Sequence, residues 1–586
     1  MKTRKVIVKT LLLVAVIGIG IGTLLQFTGC EKKSADNKLQ PPPPSHSAKD
    51  DIASYAPPPE SHSVKDDTAS YAPPSHADKM CYAPPDVAAM GAGAVCKLSP
   101  RNLALLGVFV QPNYNTSEYK SVDESGFKPA SRLSTFGADV DTASYTYMRS
   151  MIMQCRELPP QKAIRTEEFI NYFSYDYKAP QGNDVFHVNF QSMPAPWAKD
   201  RQLVLVGVQA KKVETKNLPK SNFVFLIDNS GSMFDELKLV QKAMTTLADK
   251  LNAQDKISIV TYGGSVDVLL DGGSGKDKKS IKKQINELTA DGYTPGCAGI
   301  VEAYKLAHKH FIKGGNNRIV LITDGDFNVG VSSESELVSL VEKERSSGIY
   351  LSAFGVGYGN YKDNKLKMLA NKGNGNYSYL DDVDEAQRVM TNEMTGKMFT
   401  IAKDVKFQIE FNPAKVAAYR LVGYEMRKLE DRDFNDDSKD SGDVGVGQQV
   451  TALYELIMAD APESVKEKYV GKVDPSKYQT TAQNKAGVND ILTMKIRYQK
   501  PEGKEASKLQ VLELKNLPAC GDNIQWAAAV TEFALLLRDS EYKGNANLKT
   551  LRSRAQKFIG KDSDGKRAEF LTLVKRAEGL DRPSQN

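Results

Sequence analysis

Five side chains with oxygen donors fall where a folded sheet could gather them. Asp228, Ser230 and Ser232 follow the unbroken apolar run Phe223, Val224, Phe225, Leu226 and Ile227. Thr294 lies in the Gly- and Pro-bounded loop DGYTPGCAGI, and Asp324 closes NRIVLITDG. Two carboxylates and three hydroxyls are hard donors, which suit Mg²⁺, Mn²⁺ or Ca²⁺ and not zinc. A single Ser or Asp at a strand end caps a helix as readily as it serves a cation. Five of them in comparable places argue for a cation site.

The elements that must position these groups read as strands alternating with helices. NFVFLID, KISIVTYGG, SVDVLLDGG, NRIVLITDG and IYLSAFGVG are strands. A helix to Asn252 carries Leu237, Val240, Met244, Leu247 and Leu251 on one face. Further helices run through KKSIKKQINELTA, AGIVEAYKLAHKHFI, ESELVSLVEKERSSG and NKLKMLANKG. This alternation predicts an α/β domain over 220–400 with a doubly wound, mostly parallel sheet, and such sheets bind ligands at the carboxyl ends of their strands. On AYKLAHKHF, Tyr304, Leu306 and Phe311 are expected to supply the buried face, with His308 and His310 at the surface.

The pattern changes on both sides of that domain. Upstream, STFGADVDTASYTYMRSMIMQC reads as a strand and a helix capped near Asp141 or Thr142. IRTEEFINYFSYDY is helical, and DVFHVNFQ and QLVLVGVQAKKV are strands. Downstream, VKFQIEF alternates cleanly, and AAYRLVGYE, QQVTALYELIMA and ILTMKIRYQ are further strands, which predicts antiparallel pairing with one wet face. NIQWAAAVTEFALLLRDS and LKTLRSRAQKFI open a helical tail. We expect the flanks at 121–219 and 401–515 to pair, so that the α/β domain is inserted in a β-rich domain followed by a helical region at 516–586.

With these residues in place, the chain resembles a known family. Asp228-x-Ser230-x-Ser232, then Thr294, then Asp324 in TDGD resemble the metal-ion-dependent adhesion site of von Willebrand factor type A domains. INYFSYDY, TDGDFNVG, GNGNYSYLD, VKFQIEFNPAKVAAYRLVGYE and VTALYEL resemble a bacterial subfamily of envelope lipoproteins, in which characteristic regions flank the type A domain. The resemblance implies that Ser230 and Ser232 bind the metal directly, and Thr294 directly or through water. It implies that Asp228 and Asp324 act mostly through water and orient the hydroxyls. Mg²⁺ is the first expectation, with Mn²⁺ or Ca²⁺ as alternatives. Mainly neutral direct ligands leave the cation electrophilic, so an open position would take a Glu or Asp from a partner protein.

The N-terminus bears on location. Lys2, Arg4, Lys5 and Lys9 precede an apolar stretch that ends at Thr28, Gly29 and Cys30. The order resembles a bacterial lipoprotein signal over 1–30, with Cys30 lipidated; the alternative is an uncleaved anchor formed by the 18 residues Thr10 to Phe27. Either tethers the chain to the inner or outer membrane of a cell envelope, facing the periplasm or exterior. Residues 31–120 are a Pro-rich spacer in which SHSAKDDIASYAPPPE, SHSVKDDTASYAPP and SHADKMCYAPP repeat; slippage explains the recurring His46, His62 and His76. Of the six cysteines, Cys81 and Cys96 could pair outside the cytoplasm, and no C-x-x-C pair supports zinc.

Composition excludes other classes. The formal net charge is +6, four units of which belong to the first 30 residues, and the lysines are interspersed with acids, so nucleic acid is not a partner. No H-E-x-x-H or G-x-S-x-G occurs, and the glycine–lysine pairs near Lys276 and Lys566 lack the hydroxyl of a phosphate loop. The acidic run Asp431–Asp443 lacks calcium-loop spacing and reads as a solvated turn. The expected function is non-enzymatic, metal-dependent binding of a partner protein. A permanent envelope scaffold and an unrecognised hydrolase are the rival readings.

Overall fold

The computed structural model describes residues 123–214, 218–290, 296–325, 334–357, 363–391, 399–439, 441–471, 489–501 and 506–580. Cys30, the Pro-rich repeats, Cys81, Cys96 and Thr294 lie outside the described residues. The upstream flank forms β1 (Lys128–Pro129), β2 (Ser134–Gly137), α1 (Ala143–Ser150), α2 (Thr166–Tyr172), β3 (Phe186–Pro194) and β4 (Gln202–Ala210). Thr142 is the residue before α1, yet it makes no side-chain capping bond.

The central domain follows the expected alternation: β5 (Ser221–Asp228), α3 (Leu237–Lys250), β6 (Lys256–Tyr262), β7 (Val266–Ser274), α4 (Lys278–Asn286), α5 (Gly296–Lys309), β8 (Asn316–Thr323), α6 (Glu334–Ser346), β9 (Ile349–Gly355), α7 (Asp363–Lys372), β10 (Tyr377–Tyr379) and α8 (Val383–Arg388). The six strands lie in the order β10-β9-β8-β5-β6-β7. All neighbours are parallel except the edge pair β6–β7. Every residue of β5 is buried because helices cover both faces of the sheet. Successive side chains point to opposite faces, so Phe223, Phe225 and Ile227 join the core against α3, while Val224 and Leu226 join the one against α5.

Phe311 departs from expectation. Tyr304 and Leu306 are buried, but α5 ends at Lys309, and Phe311, beyond the helical repeat, is 42% exposed. His308 meets Glu344 at 2.6 Å and His310 meets Asp271 at 2.6 Å.

Downstream come β11 (Thr400–Phe411), β12 (Val416–Val422), β13 (Val444–Gly445), β14 (Gln449–Met458), α9 (Glu463–Val470), β15 (Leu492–Gln499), β16 (Lys508–Leu514), α10 (Asp522–Leu537), α11 (Leu548–Ala555) and α12 (Lys566–Ala577). These strands pair with those upstream of the central domain. One antiparallel sheet has the order β1-β12-β14-β4-β3, with β4 and β14 in register from Gln202↔Leu456 to Gln209↔Gln449. A second has the order β13-β11-β15-β16, with β2 also on β11. The α/β domain is therefore inserted into a β-rich domain.

The single wet face holds for only part of that domain. β15 alternates buried and half-buried residues, and β16 is largely exposed. β14, by contrast, is buried from Val450 through Ile457. The helical tail causes this: α10 packs Trp526, Val530 and Phe533 on the Leu453 side, while Ala452, Tyr454 and Leu456 face the second sheet. The flanks thus form three layers, helices on sheet on sheet, and the central strands β12, β14 and β4 of the middle sheet have no wet face.

Buried ion pairs join the central domain to its flanks. Arg149 of α1 donates through Nε and Nη2 to both oxygens of Asp381, at 2.7 and 2.6 Å, just past β10. It also reaches Glu385 of α8, Tyr172 of α2 and Glu569 of α12. Lys367 of α7 meets Glu168 at 2.5 Å and Asp141 at 3.2 Å. Around Glu168 burial alone would raise the carboxyl, but Lys367 and Arg165 outweigh it and hold it at about 2. At Glu385 burial is likewise outweighed by Arg388 and Arg149, and the carboxyl stays well below its usual range.

Candidate metal centre

In the six-stranded sheet β6 follows on one side of β5, and β8 flanks it on the other. The order in which strands are added reverses between β5 and β8, although both run parallel, and such a switch point is where an open sheet of this kind leaves a crevice for ligands. Asp228 ends β5 and Asp324 follows β8 directly, so topology puts both carboxylates at the mouth of this crevice.

Beyond Asp228 the chain does not enter α3 at once. It forms a 3₁₀ turn over Gly231–Met233, anchored by Met233, which is fully buried against the core of β5 and α3. The backbone N–H of Ser230 donates to Asp228 Oδ1 at 2.9 Å, and Thr323 Oγ1 donates to Asp228 Oδ2 at 2.9 Å. Both carboxylate oxygens therefore hold a fixed orientation. Above them Ser230 Oγ and Ser232 Oγ stand 3.1 Å apart, with Ser230 half-buried and Ser232 exposed. Asp228 is 2% exposed and Asp324 9%.

The electrostatics of the site disfavour the charged form of Asp228. Burial pushes the Asp228 carboxyl up, and the nearby charge of Asp324 pushes it further, against the bonds from Ser230 and Thr323. Burial, then Asp228, also push the Tyr262 phenol well above its ordinary value, so a neutral ring floors the site. Gly357 sits at φ +79, and a Cβ there would lie 3.3 Å from Asp324 Cβ and 3.5 Å from Glu236 Cγ. Only glycine allows this loop to approach so closely.

Of the expected residues, Asp228, Ser230 and Ser232 share one turn, and Asp324 comes close enough to act on the Asp228 charge. Thr294 falls outside the described residues. Thr323, whose hydroxyl holds Asp228 and accepts from Gly325 N at 3.2 Å, was not singled out from sequence. Its one signal is a hydroxyl ending the apolar run Ile319, Val320, Leu321 and Ile322. Among the described residues no group of three or more His, Cys, Asp or Glu gathers as a metal centre. A site of two carboxylates and several hydroxyls is a different donor set. Within the acidic run, Asp436 accepts from Ser438 and Asp437 from Arg497 and Ser507, as in a solvated turn.

Comparison with known proteins bears on all three regions. The model of the von Willebrand factor type A domain matches residues 222–392, and one described as von Willebrand factor matches 113–205. A third, the C-terminal region of "Uncharacterized protein YfbK", matches 396–580. The Escherichia coli (strain K12) protein of that name is 40% identical over 485 residues, covering 81% of this chain and 83% of that protein. The chain belongs to the YfbK family. Outside it, the human inter-alpha-trypsin inhibitor heavy chain H6 is 28% identical over 182 residues, 28% of this chain and 14% of that one. A solved structure, von Willebrand factor type A from Catenulispora acidiphila, is 14% identical with a TM-score of 0.37, covering 69% of this chain and 91% of that one.

The presence of a type A domain in this YfbK-family chain suggests protein–protein interaction, and such domains commonly bind a divalent metal. The donor set described above fits such an ion: hard oxygens only, a buried acid at Asp228 whose charged form burial disfavours, and hydroxyls at the rim. Among the described residues no helix is long and apolar enough to cross a membrane.

Proposed function

We propose that this is a non-enzymatic, lipid-anchored cell-envelope protein that binds a partner protein through a metal-ion-dependent adhesion site on its type A domain. Asp228, Ser230, Ser232, Thr294 and Asp324 would hold Mg²⁺, with Mn²⁺ or Ca²⁺ as substitutes. The observation that carries the reading is the turn after β5: Asp228 is locked from below by Ser230 N and Thr323, leaving two serine hydroxyls 3.1 Å apart at the rim. A bound cation supplies an electrophilic centre that a partner carboxylate can reach. The chain's part is to orient the hydroxyls, to keep Asp228 fixed and to leave the rim open. His308 and His310 are engaged by Glu344 and Asp271, away from the serines, which favours binding over hydrolysis. Cys30 would carry the lipid, and residues 31–120 would space the folded part from the membrane.

Melting of the wild type with and without millimolar Mg²⁺, Mn²⁺ or Ca²⁺ tests the site. A ligand at a hundredfold excess over its Kd stabilises by about 2.7 kcal/mol. Ser230→Ala should remain folded and lose the metal-dependent gain, because the side chain sits on an exposed turn. A wild type indifferent to all three ions sinks the proposal. For the anchor, Cys30→Ala should abolish incorporation of labelled fatty acid; equal labelling of mutant and wild type rules the lipid reading out.

A further inference from the structure

Among the described residues Phe234 is the most exposed large hydrophobic side chain, at 67%, and it lies two positions from Ser232. Isolated exposed apolar residues are common and carry no meaning alone. Here the setting differs. Phe234 caps the turn that bears the site serines, with helical backbone at φ −52, ψ −45. Met233 N donates to Ser230 O at 3.0 Å, Phe234 N to Gly231 O at 3.3 Å, and Glu236 N to Met233 O at 3.0 Å. Its neighbour Met233 is fully buried, so one side chain roots the turn while the next stands in water. The ring is thus presented on fixed backbone, and covering it costs little conformational freedom beyond two side-chain torsions.

The charges around it decide what it covers. Asp228, Asp324 and, beneath Gly357, Glu236 converge on this edge. The buried acid Asp228 offers a partner carboxylate no attraction, so on the metal-site reading that attraction comes from the cation. An apolar neighbour of that carboxylate needs no metal to bury itself on Phe234. We propose that the partner segment presents an Asp or Glu beside an aliphatic or aromatic side chain, and that Phe234 is the residue that receives it. The inference rests on the metal-site reading above and adds the chemistry of the partner. It selects a protruding loop with one acid and one apolar residue over a run of acids.

The test uses the full chain loaded with Mn²⁺ and two simple carboxylates, acetate and 3-phenylpropanoate, read by displacement of Mn²⁺-bound water in proton relaxation. Wild type should bind 3-phenylpropanoate about tenfold more tightly than acetate, the weight of burying part of one apolar group. Phe234→Ser should bring that ratio near one, and Phe234→Leu should keep most of it. Equal affinities in the wild type, or a preference that survives Phe234→Ser, overturns the role of Phe234 and leaves the metal site standing. No Mn²⁺ response with either carboxylate removes the metal site and this inference with it. Ser230→Ala should abolish the response to both carboxylates, which ties the signal to this site.

Discussion

Asp381 and Asp228 sit near the carboxyl ends of strands in the same sheet, and their surroundings are opposite. Asp381, past β10, takes two bonds from Arg149, a residue of the upstream flank, and neighbouring Glu385 is held by Arg388 and Arg149. Asp228, at the end of β5, accepts from a backbone N–H and a hydroxyl, both neutral. The first set of acids has its cations supplied by the chain and acts as a joint between domains. Asp228 is buried almost as deeply, and the groups that bond it, a backbone N–H and a hydroxyl, orient it without adding charge. Charge pairing makes a joint of the first set, and neutral bonds fix the orientation of Asp228 in the second.

Four changes would break or sharpen this contrast. The largest effect should come from Arg149→Met, which leaves Asp381 without its guanidinium inside the joint. Loss of one partner of a buried pair costs about 3–5 kcal/mol. Denaturant unfolding measures it, and a cost under about 1 kcal/mol would show that the joint lies elsewhere.

Acid should act next, through Glu168. Its folded carboxyl lies at about 2, below its ordinary 4.5, because Lys367 and Arg165 outweigh burial. A depressed carboxyl contributes stability that is present above 4.5 and lost as pH falls toward 2, on the order of 3 kcal/mol. Glu168→Gln should flatten the stability profile across that window; an unchanged slope assigns acid lability to other groups.

Thr323→Val should cost about 1–3 kcal/mol, since it strips a buried donor from Asp228 and an acceptor from Gly325. It should also weaken the metal-dependent gain in melting temperature. Retention of the full gain would mean that Asp228 needs no orientation from β8. The smallest effect belongs to Arg497→Ala. Arg497 meets Asp437, which is 40% exposed, at 2.9 Å, and exposed pairs of this kind contribute about 0–1 kcal/mol. A larger loss would make the acidic turn structural.

How much of this was legible in sequence depends on distance along the chain. The β5 strand, its opposing core faces and the Asp228–Ser232 turn are local, so apolar runs and hydroxyl spacing expose them. The insertion was legible from the change in periodicity on both sides of the central domain. The buried character of β14 was not, because α10, which covers its second face, lies far downstream and gives no local sign. Phe311 was misplaced because helical spacing was extended two residues past the end of α5. The joint was invisible for the same reason as β14: Arg149 meets Asp381, Glu385 and Glu569 across 232, 236 and 420 residues.

The pairing of β4 with β14 also sets a timetable. Gln209 and Gln449, which bond to each other, are 240 residues apart. At about 5–20 residues per second, β4 waits roughly 12–48 s after synthesis before its partner exists. During that interval Val204, Val206 and Val208 on one face and Leu203 and Leu205 on the other lack the covering layers they have in the finished molecule. The central domain, whose six strands are contiguous in the chain, is complete well before then. Nascent chains halted at residue 400 should therefore be cut by protease within β3 and β4 while β5 and β8 resist. Chains halted after the C-terminal helices should be protected throughout.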